Sequence, residues 1–398
     1  MKKICYVTTI AGTLQTFVLP LLEYQLKHTD WELTVICDDT PEVREWLPEK
    51  VRYIPVSMKR GISLGGIGAM LKITKIFRAE KFDLVQYSTP NASVYASVAA
   101  KLAGIPVRLY CQWGMVFVGF RGLKRRIFKN IEKMVCRLST WVEPDSFGNL
   151  EFGRQEGFYT EKKSSVIWNG SASGVNLKKF DISQKQLWNK TIREQLGIEK
   201  DAFVYGFIGR ITGDKGINEL FTAYRRLVKD EKQTYLIILG RVDRPETLDE
   251  ELWQWAKNEP SVLFCGYTDV VERYIAAMDV YILPSYREGF GSAVIEAEAM
   301  GVPVIVSDIP GPTDAMLKNE TGLIVKKADP DSLYSAMLQI KNDSQSRERF
   351  SAAAQQFVTD GFEQTKLFSY ILKDRERLMN IHREEPNGKE NFDTDGHL

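Results

Sequence analysis

Residues 283–301 read LPSYREGFGSAVIEAEAMG. In this stretch an apolar strand ends at Pro284, a loop with two glycines follows, and the pattern predicts a helix from about Ser292. The N–H groups of Phe290, Gly291 and Ser292 would then lie at a helix N-terminus without intrahelical acceptors, where a diphosphate binds favourably. Ser292 is expected to cap the helix with its hydroxyl. The stretch therefore predicts an anion site at the end of a strand.

Two glutamates flank this predicted anion site. Glu288 lies in the loop, where it can face the group attached to the phosphate, and Glu296 projects from the second helical turn toward the other end of the ligand. A carboxylate that accepts two hydrogen bonds suits the vicinal hydroxyls of a sugar or a ribose. The alternative is a capped helix with solvated glutamates, and we expect that plainer arrangement for Glu298, which lies outside the pattern.

A second strand-loop-helix pattern occurs upstream at residues 206–216, which read GFIGRITGDKG. After Gly209, Arg210 can fork across phosphate oxygens, and Lys215 adds a point charge at the same strand end. The alternative is an ordinary turn with surface cations. Because the two patterns occur in one chain, we favour a shared ligand that carries a diphosphate.

Apolar segments of strand length alternate with amphipathic segments of helix length along most of the chain. This pattern is typical of parallel sheets with helices on both faces, so the predicted fold class is α/β with two doubly wound domains. We predict a first domain over residues 1–168 with a last strand at 165–168, a polar linker over 169–190, and a second domain over 191–361. Ligands of such domains bind at the carboxyl ends of the strands, which predicts a cleft between the domains.

The C-terminal region and the composition complete this prediction. An amphipathic helix is predicted over residues 362–380, and residues 384–398 are predicted to be a disordered polar tail. With 53 Lys and Arg against 52 Asp and Glu, the chain lacks the basic excess of a nucleic-acid binder. Residues 1–160 nevertheless contain 22 cations and 15 anions, a balance of +7, which leaves −6 for the rest.

Cysteines and hydropathy indicate the compartment. The five cysteines are scattered without metal-ligand spacing, so we expect reduced thiols in a cytoplasmic protein and no metal site. The N-terminus lacks the features of a signal peptide, and no stretch approaches the roughly 20 apolar residues that span a bilayer. A soluble protein is expected.

The sequence resembles the retaining family 4 glycosyltransferases of the GT-B fold, which transfer sugars from nucleotide-diphosphate donors. The resemblance depends on the Glu-x7-Glu motif from Glu288 to Glu296, on residues 209–216, and on residues 299–305, which read AMGVPVI. It covers nearly the whole chain and is most specific over residues 203–326. Within the family, the chain is most similar to bacterial enzymes that extend lipid-linked capsule, exopolysaccharide or O-antigen units.

The resemblance implies an architecture and a reaction. Two Rossmann-like domains would face each other, the N-terminal one binding the acceptor and the C-terminal one the nucleotide sugar, and the C-terminal helix would cross back to the N-terminal domain. The donor, a UDP-sugar, would be a substrate rather than a cofactor, and no metal or other cofactor is expected. The acceptor would be a growing glycan, carried on undecaprenyl diphosphate, in the synthesis of a bacterial surface polysaccharide.

The resemblance also implies roles for the residues singled out above. Arg210 and Lys215 would bind the donor diphosphate, Glu288 would contact hydroxyls of the transferred sugar, and Glu296 would contact the ribose. The amides of residues 290–292 would hold the distal phosphate. Gly12, in the loop after the first strand, would let the N-terminal backbone approach the donor.

One position departs from the family pattern. Many members have His-Gly after the strand that ends here at Gln112, and that histidine faces the donor sugar, whereas this chain has Trp113 and Gly114. None of the three histidines in the chain is placed to substitute. Trp113 or Gln112 is expected to contact the sugar instead.

The basic segment over residues 121–133, RGLKRRIFKNIEK, indicates a surface function. Its apolar residues follow helical spacing with cations on both flanks, as in a helix that lies on an anionic membrane. The cations expected to face the inner side of the plasma membrane are Lys124, Arg125, Arg126 and Lys129. The alternative is a helix whose apolar side packs on the sheet and whose cations are only solvated.

Two other functions remain open. A nucleotide-sugar 2-epimerase shares the fold but would be expected to place acid and base side chains in the N-terminal half of the cleft. A catalytically silent subunit that binds the nucleotide sugar is the second, because Trp113 replaces the family histidine. The mass of the product separates transfer from epimerisation, and the absence of turnover marks the silent subunit.

Overall fold

The computed structural model describes residues 1–58, 64–231 and 233–384. Most of the predicted tail, residues 385–398, lies outside this range. The described chain forms two parallel β-sheets of six strands each, covered by helices. Among the described residues, no helix is both long and apolar enough to cross a membrane.

Within the described residues, the first sheet is built from six short strands, and all but the edge strand at residues 52–55 are buried along most of their length. They are β1 (Lys3–Val7), β2 (Glu32–Cys37), β3 (Arg52–Pro55), β4 (Leu84–Tyr87), β5 (Val107–Gln112) and β6 (Trp141–Pro144). In the part of this domain that the structure describes, the helices that alternate with them are α1 (Ala11–Thr13), α2 (Leu19–His28), α3 (Pro41–Trp46), α4 (Leu64–Glu80), α5 (Pro90–Ala103), α6 (Gly122–Leu138) and α7 (Phe147–Gln155). A π-helical turn, Leu14–Val18, joins α1 to α2, and a 3-10 turn, Val116–Gly119, precedes α6.

The second sheet repeats this alternation. Its strands are β7 (Phe203–Ile208), β8 (Thr234–Leu239), β9 (Val262–Gly266), β10 (Val280–Leu283), β11 (Val304–Ser307) and β12 (Gly322–Val325). The helices are α8 (Lys185–Gln195), α9 (Ile217–Asp230), α10 (Glu250–Asn258), α11 (Val271–Ala276), α12 (Ser292–Ala299), α13 (Pro330–Asn342), α14 (Ser344–Gly361) and α15 (Gln364–Glu384).

Both sheets have the same topology. The strand orders are β3-β2-β1-β4-β5-β6 and β12-β11-β10-β7-β8-β9, and the pairings between neighbouring strands are parallel. The order reverses between β1 and β4 in the first sheet and between β7 and β10 in the second. A crevice opens at the carboxyl ends of the strands at such a switch point, which is where doubly wound proteins bind ligands. The predicted α/β fold class is confirmed.

The chain crosses between the domains twice, and the two crossings pair with each other. The Val175 amide donates to the Phe362 carbonyl at 2.8 Å, and the Gln364 amide donates to the Val175 carbonyl at 3.0 Å. Helix α15 then packs on the first domain, where Leu367, Phe368 and Ile371 join the core on one side of the first sheet. The C-terminal helix therefore crosses back, as predicted.

Helix α15 also inserts a charge into the first domain. Arg375 is 1% exposed, and its guanidinium donates hydrogen bonds to both carboxylate oxygens of Glu143 on β6. Its Nε donates to Gln86 on β4 at 3.1 Å. A buried arginine of this kind needs its partners, because an unpaired charge in the core costs several kcal/mol. The cluster fixes the position of α15 along the sheet.

Two local features differ from the sequence prediction. Residues 165–168 do not form a strand, because the bridge between Ser164 and Val142, the ladder contact nearest to them in the described chain, is an isolated one. The stretch predicted as the linker contains the first turn of α8, which begins at Lys185 and packs on α11 of the second domain. The part of that stretch without regular structure is therefore shorter than 169–190.

Candidate active site

The candidate site lies at the switch point of the second sheet, where the loops after β7 and β10 meet. Gly216 brings them together: it has a φ of +72°, and a Cβ there would lie 2.0 Å from the carbonyl oxygen of Pro284. Only glycine combines this left-handed conformation with so close a backbone contact. The loop that carries Lys215 is therefore held against the end of β10.

The central contact of the site is an ion pair between the two loops. The Lys215 Nζ lies 2.5 Å from Oε1 of Glu288, and the two side chains are only 16% and 13% exposed. The structure thus brings together two residues that sequence analysis selected from motifs 73 positions apart. In this arrangement Glu288 neutralises Lys215, so a diphosphate would have to compete with Glu288 for the same ammonium group.

Arg210 lies at the surface beside this pair. Its Nη1 donates to Oδ2 of Asp243 at 2.7 Å, and its side chain is half exposed. An exposed pair of this kind contributes little free energy, so the guanidinium is free to reorient toward a phosphate. Gly209 precedes Arg210. A Cβ placed on Gly240 would lie 1.8 Å from the carbonyl oxygen of Gly209, so the backbones of the loops after β7 and β8 are in direct contact.

Sequence analysis did not select Asp214, which organises these loops. Its carboxylate accepts from Arg287 at 2.8 Å and from Arg244 at 2.6 Å, and it also bonds the Thr212 hydroxyl. Burial alone would raise the pKa of Asp214, but the hydroxyl and the guanidinium groups outweigh it and hold the pKa below its ordinary value. Asp214 therefore stays ionised and fixes Arg287 next to Glu288.

The N-terminus of α12 has the expected free amides but a different cap. Gly291 is the N-cap residue, with a φ of +92°, and Ser292 is the first helical residue with no side-chain capping bond. The prediction that Ser292 caps the helix is wrong, because the left-handed glycine turns the chain into the helix. Across residues 1–58, 64–231 and 233–384, the N–H groups of Phe290, Gly291 and Ser292 have no acceptor.

The two glutamates of α12 have different surroundings. Glu296 is half-buried, and burial raises its pKa to about 7, with Lys179 lowering it and Glu272 raising it further. Glu298 is fully buried, and burial raises its pKa well above the ordinary value. The expectation of a solvated Glu298 is therefore wrong, because this side of α12 faces the core.

The first domain holds the loop that carries Glu288. The Gly289 carbonyl accepts from Nδ2 of Asn149 at 2.5 Å and from Oγ of Ser146 at 3.1 Å. On the other side, a Cβ on Gly114 would lie 3.2 Å from the Gly289 amide nitrogen, so the backbones of the two domains touch. The predicted cleft is thus closed around Gly289.

Asp145 is a further residue at this interface that sequence analysis did not select. It follows β6, is 7% exposed, and its Oδ1 has no hydrogen-bond partner within the described residues. Burial, with Glu288 nearby, raises its pKa well above the ordinary value. Its position directly after a parallel strand was the signal available in the sequence, since ligand-binding side chains collect there.

Gln112 and Trp113, where the sequence departs from the family pattern, point in opposite directions. Gln112 is fully buried, where its Nε2 donates to Glu132 at 2.5 Å and its Oε1 accepts from the Tyr159 hydroxyl at 2.9 Å. The prediction of Gln112 as a sugar contact is therefore wrong, because its amide is satisfied inside the domain. Trp113 lines a small cavity between the first domain and α15 and packs on Phe17, with ring centroids 5.2 Å apart.

Gly12 lies in a helix rather than in a loop. The amides of Thr13 and Leu14 both donate to the Ile10 carbonyl, so the chain turns into α1 directly after Ile10. The prediction that Gly12 lies in a loop is wrong for this reason. Gly12 is exposed, and a Cβ there would meet no atom within 4 Å, so the space in front of it is open.

The four cations of α6 that were predicted to face a membrane do not all point the same way. Lys129 pairs with Glu156, and Arg125 lies 3.9 Å from the same carboxylate, so both are directed at the protein. Lys124 lies over the ring of Phe120, and Arg126 is exposed. The outward face also carries apolar side chains with large exposed fractions: Leu123 at 73%, Ile127 at 44% and Met134 at 38%. Apolar side chains of α6 are thus exposed at the start of the helix and again at Met134.

Comparison with known families identifies the chain. The model described as "Glycosyl transferase 4-like" matches residues 3–143, and the model described as "Glycosyl transferases group 1" matches residues 189–357. The chain belongs to these glycosyl transferase families. The two matches coincide with the two sheets, and the loops after β7 and β10 both lie in the group 1 part.

Curated relatives match the glycosyltransferase over most of its length. It is 27% identical over 392 residues to the capsular polysaccharide biosynthesis glycosyltransferase CapM of Staphylococcus aureus, covering 98% of this chain and 99% of the relative. It is 26% identical over 333 residues to an Escherichia coli UDP-Gal:alpha-D-GlcNAc-diphosphoundecaprenol alpha-1,3-galactosyltransferase, covering 81% of this chain and 84% of the relative.

Solved structures show the same fold. Anabaena Alr3699/HepE in complex with UDP superposes with a TM-score of 0.75 at 20% identity, covering 95% of this chain and 100% of that chain. Sucrose-phosphate synthase from Thermosynechococcus elongatus superposes with a TM-score of 0.78 at 21% identity, covering 96% and 100%. The predicted GT-B arrangement of the glycosyltransferase is confirmed.

We expect Glu296→Gln to change how stability depends on pH. The folded protein holds a proton on Glu296 up to about pH 7, whereas the unfolded chain releases it near the ordinary value of 4.5. The wild-type free energy of unfolding should therefore fall as the pH rises through this window, and the neutral glutamine should avoid that loss. In denaturant titrations from pH 5 to 8, the free energy of unfolding of the variant should rise relative to that of the wild type by on the order of 1–3 kcal/mol.

The exposed Glu320→Gln serves as the control and should follow the wild type at every pH. Parallel curves for Glu296→Gln and wild type would show that Glu296 does not hold this proton.

Proposed function

We propose that this protein is a retaining glycosyltransferase that transfers a sugar from a UDP-sugar to a glycan carried on a polyprenyl diphosphate, in the synthesis of a bacterial surface polysaccharide. The observation that carries the proposal is the convergence of Lys215, Glu288 and the free amides of α12 at the switch point. The printed activity of the E. coli relative, which uses a UDP-sugar and a diphosphoundecaprenol acceptor, supports the choice of both substrates.

The cations and the helix N-terminus would stabilise the leaving group. When the bond between the anomeric carbon and the diphosphate breaks, negative charge develops on the diphosphate oxygens. Lys215, a reoriented Arg210 and the amides of residues 290–292 are donors aimed at that charge, which is the largest single contribution in many enzymes. This set supplies positive charge from the chain itself, so we propose transfer without a metal or cofactor.

Glu288 would bind the sugar and take no part in bond formation. Once the diphosphate holds Lys215, the Glu288 carboxylate is free to accept hydrogen bonds from sugar hydroxyls. The acceptor hydroxyl would form its new bond on the face that the diphosphate leaves, and its proton would pass to a diphosphate oxygen, which gives retention. Glu296, at the other end of α12, would accept from the ribose, and Trp113 would form an apolar wall for the sugar.

Transfer assays test this function. Arg210→Ala and Glu288→Ala should each lower turnover about 100-fold or more, because each removes a contact to the charge or the sugar in the transition state. The assay supplies a panel of UDP-sugars with sugar-diphospho-lipid acceptors and detects products by mass. The partly exposed Arg225→Ala, on α9 away from the site, is the matched control and should keep full turnover.

Turnover at the wild-type rate in either site variant would overturn the site assignment. A product with the donor's own mass and no acceptor adduct would favour the 2-epimerase, and donor binding without any product would favour the silent subunit.

We also propose that the protein works in the cytoplasm with α6 on the inner face of the plasma membrane. Leu123 and Ile127 are exposed on the outer side of α6, and Arg126 lies beside them. Apolar side chains would enter the interface while cations meet anionic headgroups, each worth about 1 kcal/mol near such a surface. The excess of +7 in residues 1–160 favours the same orientation.

Vesicle binding tests this contact. Leu123→Asp combined with Ile127→Asp should weaken binding to phosphatidylglycerol vesicles about 10-fold or more, because burial of each apolar side chain is worth about 1.5–3 kcal/mol. Leu187→Asp, at a leucine that is 60% exposed on α8 of the second domain, is the control. Equal loss in the control, or no loss in the double variant, would exclude α6 as the contact.

A further inference from the structure

Asp145 lies where three segments of the chain meet. Its carbonyl oxygen accepts from the Ser171 amide at 2.7 Å, which joins the end of β6 to the first crossing between the domains. Its Oδ2 lies against Gly289, because a Cβ placed on that glycine would come within 2.6 Å of it. Asp145 therefore contacts both the crossing and the residue next to Glu288.

The other carboxyl oxygen of Asp145 needs a partner. Oδ1 is buried and makes no hydrogen bond with any residue that the structure describes. A buried polar atom in this state costs about 1–3 kcal/mol. Arg375 lines the same cavity as Asp145, but its guanidinium is already bonded to Glu143 and Gln86. Arg375 is therefore committed elsewhere.

Ser171 brings a second unpaired group to this place. It is 6% exposed, and its backbone has a φ of +72°, a left-handed conformation that costs a serine on the order of 1–3 kcal/mol. Its Oγ accepts from the Gly174 amide at 3.1 Å, whereas the proton of the hydroxyl has no acceptor among the described residues. The strained backbone therefore places a buried hydroxyl donor next to Asp145.

Asp145 and Ser171 both line the small cavity beside Trp113. The cavity leaves about 10 Å³ for the centre of a water molecule, which is close to the smallest volume that holds one water. Its wall is partly polar, since Gln86 and Glu143 line it as well. A buried water needs about three polar contacts, and a cavity with this lining can supply them, whereas an apolar cavity of the same size would stay empty.

We propose that this cavity binds one ordered water molecule, which accepts from the Ser171 hydroxyl and donates to Oδ1 of Asp145, and that Asp145 fixed in this way is a positioning residue for the Glu288 loop. The role of that loop in transfer belongs to the proposed function, so this inference rests on it. With Oδ1 held by the water, Oδ2 stays against Gly289 and sets how the loop lies on the first domain. Glu288 is thereby presented to the donor sugar by a residue that does not touch the sugar.

Substitutions at Asp145 separate the hydrogen bond from the space that the side chain fills. Asp145→Leu has a similar volume but cannot bond the water, so kcat for sugar transfer should fall about 10-fold, the loss that corresponds to one hydrogen bond. Asp145→Asn keeps an oxygen that can accept from the same water, and its kcat should lie within about 3-fold of the wild type. A side chain that only fills space would give the opposite order.

A double variant and a matched control test the water bridge. As the structure describes them, the side chains of Asp145 and Ser171 form no hydrogen bond with each other, so additive losses are expected unless a water links them. Ser171→Ala should lower kcat about 10-fold, and Asp145→Leu combined with Ser171→Ala should lower it no further. Ser173→Ala removes a buried hydroxyl of the same crossing that does not line the cavity, and should turn over as the wild type.

A crystal structure of the full chain tests the water itself and does not depend on activity. The expected result is density for a water within hydrogen-bond distance of both Asp145 Oδ1 and Ser171 Oγ, which is lost in Asp145→Leu. An empty cavity would overturn the water site. Equal losses of kcat in Asp145→Asn and Asp145→Leu would overturn the positioning role. A wild type that shows the water but transfers no sugar would overturn the proposed function, and the role of Asp145 with it, while the water site would stand.

Discussion

The ion pair between Lys215 and Glu288 is the contact on which the site depends. It joins the loops after β7 and β10, which parallel topology brings to one edge of the sheet but does not by itself hold together. Asp214 and Arg287, the neighbours of the pair, make a second bridge between the same loops. Each loop is therefore anchored by one cation and one carboxylate, and the arrangement is neutral until an anionic ligand enters.

The same loop also closes the cleft. Gly289, next to Glu288, accepts hydrogen bonds from Asn149 and Ser146 of the first domain. A diphosphate that binds Lys215 in place of Glu288 would remove an ion pair from the loop that the first domain holds by hydrogen bonds to Gly289. The ion pair of Glu288 and the interdomain contacts of Gly289 thus lie on adjacent residues of one short segment, and the paired crossings at Val175 and Phe362 join the same two domains elsewhere.

The fold and the centre of the site could be predicted from sequence because both are encoded locally. Strand and helix lengths alternate along the chain, and each strand-loop-helix pattern places its own anion-binding groups. Lys215 and Glu288 were found separately, and the parallel topology then brings them together. The strand predicted at 165–168 failed because an apolar run has the right composition for a strand whether or not a partner edge is present.

The remaining errors come from contacts between distant parts of the chain. Gln112 and Trp113 are neighbours, and only the fold decides which of them faces the cleft, because Gln112 finds its partner Tyr159 47 positions away. Glu298 was expected in solvent because the packing of α14 on α12 is not visible in the pattern of α12 itself. Asp145 and Asn149 meet the Glu288 loop across more than a hundred positions. The position of Asp145 directly after β6 is the one local signal that the sequence offers for this contact.

We expect Glu288 and a nucleotide diphosphate to compete for Lys215. Calorimetric titration of UDP into Lys215→Met, Glu288→Gln and the double variant tests it most directly, because the cycle isolates the coupling between the two residues. We predict that Lys215→Met weakens UDP, that Glu288→Gln alone strengthens it, and that Glu288→Gln has no effect once Lys215 is gone. A Glu288→Gln variant that binds UDP more weakly than the wild type, with the same loss in both backgrounds, would contradict the claim.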